Sequence, residues 1–237
     1  MRPVAILAGG LGTRLGPVTA ARPKILVEVD GRPFAEYQIE WLREQGVTRV
    51  VYCLGHFGEQ VVETLGDGRR WGMTFEFEMD GPVLLGTGGA LKRAMTSRAA
   101  EFFVLYGDSL LTCDLVAIER AYEAAGRACL MTVVRNDNQW DRSNVVFTKG
   151  ELVAYDKRTS RPDMHHIDYG LGLIRASALD AYPPGEAFDL ARVYQDQLQA
   201  GQVTGYDVGT RFYEIGSAEG LEDTRRFLAS RRAHGAG

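Results

Sequence analysis

Short, wholly apolar runs alternate with stretches whose apolar residues recur every three or four positions. Val4–Ala8, Arg49–Leu54, Thr74–Met79, Phe102–Tyr106 and Ala128–Val134 read as strands, the third by alternation that puts Phe75 and Phe77 on one face. Between them, Phe34 to Gln45 carries Phe34, Tyr37, Trp41 and Leu42 on one helical face and closes at Gly46. Glu59–Leu65, Thr87 to Met95 and Asp114 to Ala125 read as further helices. Strand–helix alternation of this kind predicts an α/β fold: a Rossmann-like, mainly parallel sheet flanked by helices on both faces.

The texture changes near Asn136. Val145–Phe147 and Leu152–Tyr155 flank Lys149-Gly150 as a hairpin, and Ile167–Ile174 is a long strand. Helices near Phe188–Ala200 and Ala218–Arg231 enclose two last strands, Val203–Val208 and Arg211–Ile215. No repeat or linker interrupts the pattern. The reading is one domain over residues 1–237, with a nucleotide-binding half to about 135 and an antiparallel sugar-phosphate-binding layer over about 136–237.

Composition narrows the partners. Net charge is −4, with 45% hydrophobic and 24% charged residues and no basic block, which argues against nucleic acid. No apolar run approaches the roughly 20 residues of a membrane span, and Val4–Ala8 is too short for a signal-peptide core. The expectation is a cytoplasmic protein with no membrane partner; a homo-oligomer is left open. Cys53, Cys113 and Cys129 are odd in number, lie in or beside apolar stretches and lack CxxC spacing, which suits buried reduced thiols.

Candidate chemistry starts where the first strand ends. Leu7-Ala8-Gly9-Gly10-Leu11-Gly12-Thr13-Arg14-Leu15 puts three glycines in four positions at a strand's carboxyl end, where backbone N–H groups can approach an anion closely. A P-loop is excluded because no Gly-Lys-Ser/Thr follows, and a dinucleotide fingerprint begun at Gly10 fails at Leu15. Arg14 offers a planar clamp for the oxygens of departing pyrophosphate, and Lys24, after Pro23, a compact charge over an α-phosphate. Tyr106-Gly107-Asp108 places a carboxylate at the end of a central strand, able either to hold a hard cation or to cap a turn. Gly86-Thr87-Gly88-Gly89 opens a helix and reads as a second close-approach surface or as a bare helix entry.

Taken together, Leu7–Leu15 with Pro23-Lys24 resembles the signature of the sugar-phosphate nucleotidyltransferases. The likeness runs to about residue 228 and is greatest to the short heptose-1-phosphate guanylyltransferases and muramate-1-phosphate uridylyltransferases. The resemblance implies an NTP and a sugar 1-phosphate as substrates, Mg²⁺ as cofactor, and pyrophosphate as product. It implies nucleotide contacts for Leu7, Ala8, Gly9, Gly10, Gly12, Thr13, Leu85, Gly86, Thr87 and Gly88, and catalytic roles for Arg14, Lys24 and Asp108. Base edges would be read in the 80–89 region. Metal ligands would be Asp108 and Glu214; the latter, in Phe212-Tyr213-Glu214-Ile215-Gly216-Ser217, stands where the family has aspartate.

On the sugar-phosphate side the resemblance implies Gly107, Asp156, Lys157, Asp168 and Gly170, with Lys157 on the phosphate and Asp168 replacing an asparagine that contacts sugar hydroxyls. A heptose 1-phosphate with GTP is the favoured pair. The alternatives are a cytidylyl- or uridylyltransferase for another sugar or non-sugar phosphate, and a nucleotide-sugar-binding regulatory protein. A metal-dependent glycosyltransferase would want D-x-D, and no two aspartates have that spacing. Adjacent His165 and His166 point to opposite faces of a strand and do not share a metal.

Overall fold

In the computed structural model the backbone is described for residues 1–10 and 12–235, and side chains for the same residues except Thr13, Arg14 and 233–235. The elements are β1 (Val4–Leu7), β2 (Glu28–Val29), β3 (Arg32–Pro33), α1 (Phe34–Glu44), β4 (Arg49–Leu54), α2 (Gly58–Leu65), β5 (Thr74–Met79), α3 (Gly86–Met95), β6 (Glu101–Tyr106) and β7 (Ser109–Leu110). They continue with α4 (Leu115–Ala125), β8 (Cys129–Arg135), β9 (Val145–Thr148), β10 (Glu151–Tyr155), β11 (His166–Arg175), α5 (Leu190–Gln199), β12 (Val203–Asp207), β13 (Tyr213–Glu214) and α6 (Ala218–Gly235).

Among the described residues nine strands form one mixed sheet. Parallel pairing runs β6–β1–β4–β5, and β11 joins β6 antiparallel, which brings the second half of the chain onto the same sheet. On its other side β11 pairs antiparallel with β8, and β12 adds to β8 in parallel. The hairpin β9–β10 meets the start of β11 at His166. Period-two alternation divides the core between the two faces of this sheet. Val4, Ile6, Val50, Tyr52, Phe103 and Leu105 pack with α1, α2 and α4, whereas Ala5, Val51, Cys53, Phe102 and Val104 pack with α3 and α5.

The helices begin where their sequence supplies a cap. Asp114 accepts from Val116 N and Ala117 N to start α4, and Asp189 accepts from Ala191 N, so α5 opens at Leu190 rather than at Phe188. The strand expected at Arg211–Ile215 shrinks to Tyr213–Glu214, which pairs with β7 in a small separate ladder, Glu214 opposite Ser109. Between β1 and α1 the chain forms short 3₁₀ turns, Thr13–Thr19 and Lys24–Leu26, that the apolar pattern did not announce. The three cysteines are buried and unpaired, and burial lifts the thiols of Cys113 and Cys129 to about 12. Among the described residues no helix is long and apolar enough to cross a membrane.

Candidate active site

The carboxyl ends of β1, β4 and β6 lie side by side, since Leu7 pairs with both Cys53 and Tyr106. The backbones crowd there. A Cβ on Gly107 would stand 2.6 Å from the Leu7 carbonyl oxygen, and one on Gly55 would stand 2.6 Å from that of Gly9, so these exits admit only glycine. A Cβ on Gly10, by contrast, meets nothing within 4 Å, because that position borders open space. The space is a cavity of about 650 Å³ lined by Leu7, Ala8, Gly9, Gly10, Gly86 and Thr87 at one end and by Asn144, Lys157, Asp168 and Gly170 at the other.

Lys24 and Asp108 meet at this cavity. Lys24 Nζ donates to Asp108 Oδ2 at 2.9 Å, an ion pair between residues 84 apart in sequence. Pro23 is extended and leads straight into the turn that carries Lys24, whose neighbours Ile25 and Leu26 anchor it in the core. The loop bearing Asp108 is braced from beneath by buried Gln38, whose Nε2 donates to the carbonyls of Tyr106 and Ser109. Glu214 also lines the cavity, and Ile215 N donates to the Asp108 carbonyl, so the two acidic residues sit on directly bonded backbones.

Two carboxylates on adjacent segments suit a hard, oxygen-seeking cation. They are not equally free. No hydrogen bond engages Asp108 Oδ1 among the described residues, whereas both oxygens of Glu214 accept from its own loop, one from Ser217 Oγ at 2.8 Å and the other from Gly216 N. Gly220 makes room for that fold-back, since a Cβ there would stand 2.0 Å from Glu214 Oε1. The residues therefore fit a magnesium ion held chiefly by Asp108, with Glu214 sharing oxygens that already cap the entry to α6. Among the described residues no cluster of three or more His, Cys, Asp or Glu is placed to hold a metal.

The far end is built from side chains. Asp168 Oδ2 accepts from Tyr106 Oη at 2.8 Å and Tyr155 Oη at 3.0 Å, its Oδ1 accepts from Gly170 N, and its backbone N donates to Asn144 Oδ1. Burial, reinforced by the Asp168 charge, raises both phenols well above their ordinary range, so each stays protonated and donates. Lys157 Nζ donates to Tyr106 Oη at 3.2 Å and lies 5.0 Å from that ring's centroid. Asp168 thus holds the tyrosines and, through Tyr106, the lysine, so both of its oxygens are engaged within the protein.

Several expected residues lie elsewhere. Leu85 is buried in the core, and Gly88 packs against the Phe188 ring, to which its Cβ would come within 2.4 Å. Gly86 abuts the Phe188 carbonyl in the same way, although it still borders the cavity, and Thr87 Oγ1 accepts from Leu190 N. The close-approach surface at 86–89 therefore mainly accommodates a neighbouring segment of this chain. Gly12 adopts a left-handed turn, its carbonyl accepting from Thr19 Oγ1, and Asp156 caps its own turn by accepting from Arg158 N and Thr159 N; neither lines the cavity. The side chains of Thr13 and Arg14 lie outside the described residues. His165 is exposed beside Asp137 while His166 packs on Phe147, on opposite faces as expected.

Other residues enter the wall unannounced. Gln139, Trp140, Asp141 and Arg142 arrive on a loop cornered by buried Asn136, whose Nδ2 donates to Asp141 O and Ser143 Oγ. Arg211 lies 5.0 Å from the Trp140 ring and 4.8 Å from that of Tyr213, paired with Asp223, and Phe212 meets Trp140 edge-on. The signal in the sequence was a tryptophan standing alone in a polar loop.

Comparison with known proteins follows the same outline. Residues 4–144, more than half of the chain, match the family model described as nucleotidyl transferase. The D-glycero-alpha-D-manno-heptose 1-phosphate guanylyltransferase of Aneurinibacillus thermoaerophilus is 25% identical over 225 residues, 94% of this chain and 96% of that one. The UTP–glucose-1-phosphate uridylyltransferase of Synechocystis sp. is 25% identical over 201 residues, and there the matched region is 78% of this chain but only 52% of the relative, about half its length. The crystal structure of HddC from Yersinia pseudotuberculosis complexed with GMP-PN superposes with a TM-score of 0.78 at 25% identity, covering 96% of this chain and all of that one. With a glycine-lined strand exit, a lysine–aspartate pair and this matched region in one N-terminal half, the chain belongs to the nucleotidyl transferase family.

Proposed function

We propose that this protein joins the nucleoside monophosphate of an NTP to a sugar 1-phosphate and releases pyrophosphate, with GTP and a heptose 1-phosphate as the favoured pair. The observation that carries the reading is the Lys24–Asp108 pair standing between two unlike ends of one cavity, a glycine wall and a side-chain wall bearing Lys157. The near full-length coverage of a heptose 1-phosphate guanylyltransferase supports the substrate pair over that of the glucose-1-phosphate uridylyltransferase, of which the chain spans about half.

In this reading the acceptor is a phosphate monoester, already ionised at neutral pH, so no general base is needed and the task is to bring two polyanions into line. Backbone N–H groups at Gly9 and Gly10 face the triphosphate, and Lys24 steadies the α-phosphate. Lys157, held by Tyr106, receives the acceptor phosphate, and Arg14 stabilises the departing pyrophosphate. Asp108, with Glu214, would hold Mg²⁺, which when bound supplies neutralising charge to the phosphates. The test is pyrophosphate release across four NTPs and several sugar 1-phosphates, including heptose 1-phosphates. Release with GTP and a heptose 1-phosphate is expected, whereas silence across the whole panel would refute catalysis and leave a nucleotide-sugar-binding role.

A further inference from the structure

The buried stripe of α1 contains an amide. Phe34, Tyr37, Gln38, Trp41 and Leu42 all face inward on that helix, and Gln38 is only 1% exposed. Both of its hydrogen bonds run to one loop: Nε2 donates to the Tyr106 carbonyl at 3.1 Å and to the Ser109 carbonyl at 2.7 Å. Two carbonyls can accept only from the amino end of an amide, which fixes its orientation. Oε1 is left buried with no donor among the described residues. An apolar side chain would suit the stripe better, so the amide earns its place by what it holds and not by what it adds to the core.

What it holds is the turn that presents Asp108. Tyr106 and Ser109 straddle Gly107-Asp108, so a single amide clamps both ends of that turn. The same helix governs the partner cation. Phe34 N, at the start of α1, donates to the Val27 carbonyl at 2.9 Å, and Val27 N closes the turn that bears Lys24 by donating to the Lys24 carbonyl at 3.0 Å. One turn of α1 therefore separates the backbone bond that seats Lys24 from the amide that seats Asp108. We propose that Gln38 is a positioning residue, holding the Asp108 carboxylate at its 2.9 Å contact with Lys24 Nζ. A reacting group displaced by about 1 Å loses on the order of a hundredfold in rate, so a clamp of this kind acts on turnover and not on binding. The kinetic consequence rests on the proposed nucleotidyl transfer; the clamp itself does not.

Pyrophosphate release and amide hydrogen exchange, compared among the wild-type protein, Gln38→Met and Leu42→Val, test it. Gln38→Met keeps the length of the side chain and removes both donors. It should lower kcat by about tenfold to a hundredfold and leave KM for both substrates within about twofold. With no substrate present, exchange should quicken in peptides spanning 106–111 and stay unchanged in those from β4 and β5. Leu42→Val, one turn further along the same stripe, should lower the melting temperature with kcat held, because a packing loss alone does not release the turn. Unchanged kcat in Gln38→Met, a rise in KM in its place, faster exchange across the whole sheet, or an equal loss of kcat in Leu42→Val would overturn the assignment. If Gln38→Met does not fold, Gln38→Asn, whose amide falls one methylene short of the loop, must show the same split. Were no substrate pair to release pyrophosphate, nucleotidyl transfer would be refuted, and exchange at 106–111 would decide the clamp by itself.

Discussion

The two ends of the cavity are made of different material. At one end the wall is main chain: Gly9, Gly10 and Gly107 lie at strand exits, and a Cβ on Gly107 would stand 2.6 Å from the Leu7 carbonyl oxygen, whereas one on Gly10 would meet open space. At the other end the wall is an interlocked set of side chains, Tyr106, Tyr155, Lys157 and Asp168, with Trp140 and Arg211 across the opening. A backbone wall offers the same N–H groups whatever the sequence, which suits the invariant phosphates of a nucleotide. A side-chain wall is rewritten by single substitutions, which suits an acceptor that differs from relative to relative.

The sharpest break of this comparison lies at the junction between the ends. Asp108→Ala should lower turnover by roughly two to three orders of magnitude, with circular dichroism unchanged, because it removes the charge opposite Lys24 from a solvent-poor site. Retention of full activity would dismiss the pair from the chemistry. On the backbone wall the two kinds of glycine should separate. Gly107→Ala drives a methyl into the Leu7 carbonyl and should cost about 1–3 kcal/mol in denaturant unfolding. Gly10→Ala meets open space, so its unfolding midpoint should hardly move while KM for the NTP rises.

On the side-chain wall, Tyr106→Phe removes the hydroxyl that links Lys157 to Asp168. It should raise KM for the acceptor by about tenfold, on the scale of one charge-assisted hydrogen bond, and leave KM for the NTP alone. Equal effects on both substrates would mean that the two ends are not separate. The smallest effect expected is away from the cavity. Hydrogen bonds from Arg49, and also from Arg98, hold the Glu76 carboxyl below its ordinary range against partial burial. Its contribution to stability is therefore full above the unfolded-state value and fades as pH falls through the lower folded-state value. Glu76→Gln should narrow the gap in melting temperature between neutral and acidic buffer by a few degrees at most, since the pair is largely solvated.

The same contrast explains what could be read from the sequence. The glycine run after β1 and the aspartate after β6 were legible because a strand exit is local: the residues that make it are neighbours in the chain. Most of the regular elements were legible for the same reason. Trp140 and Arg211 were not, since they stand 71 positions apart and meet only once the chain between them has folded. Asp168 lines the cavity, but the engagement of its oxygens depends on hydroxyls at positions 106 and 155 that no local pattern connects. The glycines at 86–89 teach a further point. Glycine reports that something comes close, and here much of what comes close is the Glu186–Phe188 segment. Glu214 follows the same logic, its extra methylene bending the carboxylate back onto its own loop.

Because β11 is zipped to β6 residue by residue, from Leu171 opposite Leu105 to Arg175 opposite Glu101, the spacing between the two ends of the cavity is written in the rungs of a single ladder. A slip of one rung in β11 would turn Asp168 to the opposite face, away from Tyr106 and Tyr155, rather than widen the gap by a tolerable amount. The separation of the two ends is thus inherited from folding itself, and evolution can exchange the furniture of one end without having to re-measure its distance from the other.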